Sequence, residues 1–85
     1  MKIIISQNID AEKSLAEFSI DGHIIGTVEQ NRSLPKGFYR GNMRALGEQF
    51  SYNEGFEDSV ESIKSSIRFL FTHELGMEVE FVLPE

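Results

Sequence analysis

Residues 15–29 read Leu15-Ala16-Glu17-Phe18-Ser19-Ile20-Asp21-Gly22-His23-Ile24-Ile25-Gly26-Thr27-Val28-Glu29, and this stretch decides the fold. Ala16, Phe18 and Ile20 fall on one side of an extended chain, and Glu17 and Ser19 on the other. Asp21-Gly22 sits between two strand-like runs, where a two-residue turn needs positive φ at both positions. The pattern predicts an antiparallel hairpin. Upstream, Lys2 to Gln7 is rich in β-branched residues and reads as a strand, with a polar turn over residues 8–14.

Downstream, Asp58 to Leu75 changes period. Val60, Ile63, Ile67, Leu70, Phe71 and Leu75 recur at helical spacing, so one long helix is expected over about 58–75. Asp58 and Glu61 have the spacing of a capping box, and Gly76 stands where a left-handed residue ends a helix. Met77, Val79, Phe81 and Leu83 then alternate with Glu78, Glu80 and Val82 as a final strand, closed by Pro84.

Between hairpin and helix, residues 31–37 are loop, marked by Ser33, Pro35 and Gly37. Residues 38–52 admit two readings. Strands turning at Gly41-Asn42 form a second hairpin; alternatively Asn42 caps a short helix with Met43, Leu46 and Phe50 on one face. Gly41 and Gly47 weaken that helix, so strands are favoured. The expected fold class is α+β: one domain over residues 1–85, a two-layer sandwich in which one helix covers a mostly antiparallel sheet of four to five strands. The second sheet face is left for solvent or a partner.

Composition narrows function by exclusion. The chain has 85 residues, of which 40% are apolar, and seven are Phe. It has no cysteine, so disulfides and thiolate metal sites are excluded and a reducing compartment suits it. Met1-Lys2-Ile3-Ile4-Ile5-Ser6 is too short an apolar run for a signal peptide or a membrane span. The expectation is a complete cytoplasmic polypeptide with no membrane contact. Phosphate-loop, dinucleotide, nucleophile-elbow and His-Glu-x-x-His motifs are all missing from the sequence. His23, His73 and Glu74 make a metal site only if folding brings them together. Glu57-Asp58 and Glu78/Glu80 read as helix-terminal and outward strand acids. No enzyme activity, metal or cofactor is therefore expected.

Two features point towards a binding role. Net charge is −6, yet it is segregated: residues 1–29 carry −3, residues 30–47 carry +4, and residues 48–85 carry −7. The basic block is Arg32, Lys36, Arg40 and Arg44, with Phe38 and Tyr39 among them. Opposite the apolar helix stripe fall Ser62, Ser65, Ser66, Phe69, Thr72 and His73, none acidic and none Lys or Arg. A solvated helix face usually carries such charges, whereas small residues around one aromatic suit close approach by a partner. The leading expectation is a small noncatalytic interaction or regulatory domain of bacterial or phage type, homodimeric or docked on another protein. The alternative is a nucleic-acid-associated regulator using segment 32–44. The acidic total disfavours it.

Overall fold

The computed structural model describes residues 1–43 and 47–83. Chain order gives β1 (Lys2–Asp10), β2 (Leu15–Ile20), β3 (His23–Gln30), β4 (Tyr39–Met43), β5 (Glu48–Tyr52), α1 (Phe56–Phe69), a π-helical turn (Leu70–Glu74) and β6 (Glu78–Val82). The fold is α+β. Among the described residues the sheet has six strands rather than four to five, ordered β5-β4-β3-β2-β1-β6. The extra strand arises because segment 38–52 supplies a whole hairpin. Every neighbouring pair is antiparallel except β1 with β6, which run parallel, Ile3 beside Val79 and Ile5 beside Phe81. That parallel pair needs a crossover, and α1 belongs to it.

The β2–β3 hairpin turns at Asp21 and Gly22, with φ of 49° and 82°. Register slips after Phe18: Phe18 pairs with Gly26 but Ser19 with Ile24, so Ile25 is a bulge residue. This lets Ile25 join Ile20 against the core.

The second hairpin does not turn at Gly41-Asn42. Both lie inside β4, Gly41 opposite Phe50 and Asn42 opposite Gln49. The helical alternative for this segment fails for the same reason. Arg44, Leu46 and Pro84, which those readings used, lie outside the described residues. Gly41 is buried in mid-strand because a Cβ there would stand 2.6 Å from Tyr52 Cε2 and 3.1 Å from Ile63 Cδ1. Gly26, on neighbouring β3, faces Ile67 Cδ1 in the same manner at 3.3 Å.

The helix begins three residues earlier than the capping-box spacing implies. Gly55, at φ 92°, is the N-cap, and no side chain caps the end. Ser59 instead returns both its backbone N–H (3.0 Å) and its hydroxyl (2.6 Å) to the Gly55 carbonyl. Asp58 and Glu57 stay in the first turn, where the helix dipole favours them. Val60, Ile63 and Ile67 are buried as the stripe predicts, with Leu70 and Phe71 packed beside them. Leu75 is not core: it is 59% exposed. The π turn widens the spiral after Phe69, and helical spacing no longer locates Leu75. Gly76 takes the left-handed conformation expected of it, φ 63°, and the Met77 N–H reaches the Phe71 carbonyl at 2.9 Å.

The core lies between α1 and one sheet face: Ile5, Ala16, Phe18, Val28 and Met43 meet Val60, Ile63 and Ile67. Phe81 closes one side edge-on to Phe18, centroids 5.8 Å apart, and Phe56 meets Tyr39 on the other. Strand alternation puts Glu17, Thr27, Arg40, Asn42 and Ser51 on the opposite face, polar over β3 to β5, with Ile4 and Ile24 part-exposed on the same face. No helix among the described residues is long and apolar enough to cross a membrane.

Gly41→Ala should lower stability by about 1–3 kcal/mol through overpacking. Urea unfolding should show a reduced midpoint with an unchanged slope; an undiminished midpoint would show that Gly41 is not a packing floor.

Candidate interaction surface

The setting of α1 on the sheet decides what faces out. With Ile63 and Ile67 pressed onto the sheet, residues about 180° away along a 100°-per-residue spiral point to solvent. The two cations of the helix, Lys64 and Arg68, lean towards β6. Their charged groups lie 4.9 Å and 5.2 Å from the centre of the Phe81 ring, and Lys64 also pairs with Glu61 at 3.7 Å. The uncharged face predicted from the sequence is therefore tilted to the other flank, above β4 and β5.

On that face the serine hydroxyls are occupied. Ser65 donates to the Glu61 carbonyl (3.0 Å) and Ser66 to the Ser62 carbonyl (3.2 Å), while Ser62 donates to Glu54 Oε1 (2.8 Å). They present small, internally satisfied surfaces. Ser62 and Ser66 are half-buried; Ser65, Thr72 and His73 are exposed. Phe69 is 60% exposed and stacks on His73, ring centroids 4.3 Å apart. The π turn carries His73, and the stack braces Phe69 outside the core.

Phe69 forms a ridge between two hollows. On the β5 side a groove of about 630 Å³ has Met43, Phe50 and Leu70 in its apolar lining and Glu48 and Glu74 among its polar residues. On the other side a shallower hollow of about 310 Å³ is lined by Ser65, Arg68, Thr72 and His73. Behind the groove Phe50 stacks on Tyr52, centroids 6.2 Å apart. Burial, and secondarily the Glu54 carboxylate, raises the Tyr52 phenol above its ordinary pKa, so the phenol stays protonated at neutral pH. The groove was not visible in the sequence, because Met43 and Phe50 come from strands read there with a different turn.

Of the basic block, two described residues, Arg32 and Arg40, share one concavity. Arg40 stands on the outer sheet face in an ion pair with Glu29, its cross-strand neighbour. Arg32 and Arg40 line a polar concavity of about 480 Å³ that Lys36 does not line, and Arg44 is outside the described residues. Lys13, which sequence reasoning missed, lines it too. The pairing of Leu15 with Glu29 brings the β1–β2 turn beside the β3–β4 loop. Asp10 fixes that turn by accepting the N–H groups of Glu12 and Lys13, and Asn31 accepts the Ser33 N–H in the loop. Among the described residues, no three His, Asp or Glu side chains converge as metal ligands; His23, His73 and Glu74 form no such group.

Comparison with known proteins gives no relative: the chain matches no family model, no curated protein and no solved structure.

Proposed function

We propose that this chain is a noncatalytic protein-interaction domain of the cytoplasm, homodimeric, that associates through the α1 face centred on Phe69. The observation that carries the reading is Phe69 itself. A large aromatic stands 60% exposed beside small Ser65 and Ser66, braced by His73, between a largely apolar groove that Glu48 and Glu74 border and a hollow that Arg68 helps to line. Aromatic residues in such settings dominate binding energy at protein interfaces. Leaving the exposed part of that ring in water forgoes a burial worth about 1–2 kcal/mol, which a partner recovers. The lack of cysteine supports the compartment.

One observation favours a second reading. Lys13 and Arg32, from separate turns, share a concavity with Arg40, whose charge Glu29 already offsets. Two cations that pair with no acid among the described residues suit a small anionic group better than a nucleic-acid duplex.

Sedimentation velocity compares the wild type with Phe69→Glu across concentration, alongside thermal unfolding. The wild type should shift from monomer to dimer as concentration rises. Phe69→Glu should stay monomeric with Tm unchanged or higher, since Phe69 is outside the core. A dimer that survives the substitution, or a variant that unfolds, contradicts the reading.

The second reading is tested with a labelled single-stranded oligonucleotide at several salt concentrations. The leading reading predicts no binding at physiological salt. Binding with a log–log salt slope of about −1.4, abolished by the Lys13→Glu/Arg32→Glu pair, would put anion recognition first.

A further inference from the structure

The charges bordering the Phe69 face are arranged for self-pairing. Glu61 and Arg68 are seven residues apart, so they lie two turns apart on one flank of α1, within about 20° of the same direction. Between them and beside them run Ser62, Ser65, Ser66 and Phe69. Glu61 and Arg68 are both exposed; Lys64, more deeply set, lies 3.7 Å from Glu61, and the Arg68 guanidinium lies 5.2 Å from the Phe81 ring centre.

We propose that two copies of this chain associate through antiparallel α1 helices about a twofold axis passing between Ser65 and Ser66. The proposal rests on the reading of the Phe69 face as an interface, and adds the partner and the geometry. In this register Phe69 lies level with the partner's Ser62, and the largest side chain of the face meets one of its smallest. A twofold axis brings like flanks together, so Glu61 stands within about 3 Å, along the axis, of the partner's Arg68 at a rise of 1.5 Å per residue. The reciprocal pair forms at the other end.

The parallel alternative puts the two Glu61–Arg68 flanks on opposite sides of the interface, so neither ion pair forms, and it sets Phe69 against Phe69 with no small residue to receive the ring. The sheet edges are poorer sites for a second copy. β6 presents Glu78 and Glu80 at its free edge, and antiparallel self-pairing centred on Glu80 sets that carboxylate against itself. β5 offers only five residues. Shape agrees: the molecule measures 41 × 28 × 19 Å, and its thin dimension holds the sheet and one helix layer, so the outer face of α1 is the outermost surface.

Size sets the strength. The helix and its π turn give a strip about 28 Å long and one helix wide, which buries less than the roughly 800 Å² per partner of a stable interface. The dimer is therefore weak, with Kd on the order of 10 μM or above.

The test is sedimentation equilibrium at low salt on the wild type, Glu61→Arg, Arg68→Glu and the double variant, with circular dichroism confirming fold. Each single substitution replaces two opposite-charge pairs with two like-charge pairs. Dimer affinity should fall about tenfold in each single variant and return to within about threefold of wild type in the double. Single variants that dimerise like the wild type, or a double variant no better than the singles, overturn the antiparallel geometry. If Phe69→Glu still abolishes that dimer, the interface reading survives and only the geometry falls. A wild type monomeric at every concentration overturns both.

Discussion

Ile63 and Ile67 rest on the backbone of Gly41 and Gly26, and the remaining architecture depends on that seating. The two glycines remove the side chains that would otherwise hold the helix off β3 and β4. With the two isoleucines fully buried there, the rotation of α1 about its own axis is fixed. That rotation sends Lys64 and Arg68 towards Phe81, turns the serines towards the β5 side, and leaves Phe69 in water. Close packing admits little readjustment, because an interior at crystal-like density transmits any shift to its neighbours. An exposed aromatic here follows from where the core is anchored.

Legibility of the sequence tracked the range of the interaction that decided each element. The Asp21-Gly22 turn is local: two positive-φ residues between alternating strands leave few alternatives, and the structure has that hairpin. The helix stripe from Val60 to Ile67 and the left-handed Gly76 were equally readable, for the same reason. Gly41 was misread because a glycine in a polar stretch signals a turn locally, whereas here it answers to Ile63 and Tyr52 from distant segments. The capping-box spacing misplaced the helix start because Ser59, not Asp58, engages the N-terminal turn. Leu75 left the stripe because the π turn breaks the period that placed it there.

The binding surfaces divide in the same manner. The uncharged helix face was readable from helical periodicity alone, although its half-buried Ser62 and Ser66 and its tilt towards β5 depend on the sheet beneath. The neighbouring groove joins two strands and a helix, and no single stretch announces it. The basic block was visible as composition but not as geometry. Strand pairing gives Arg40 to Glu29 and brings in Lys13 from residues far away in the chain. Charge that reads as a block in sequence is thus partly neutralised at Arg40, while charge scattered along α1, at Glu61 and Arg68, lies on one flank.

A chain without cysteine offers a direct probe of the pairing, since any introduced thiol is the only one present. Ser65 lies beside the inferred twofold axis, so two copies bring residue 65 within disulfide reach, a Cα separation of about 4.4–6.8 Å. Ser51, on the polar face of the sheet, lies far from it. Under mild oxidation at a concentration where the dimer forms, Ser65→Cys should become a covalent dimer and Ser51→Cys should remain monomeric. Cross-linking no faster at position 65 than at position 51 would contradict the account.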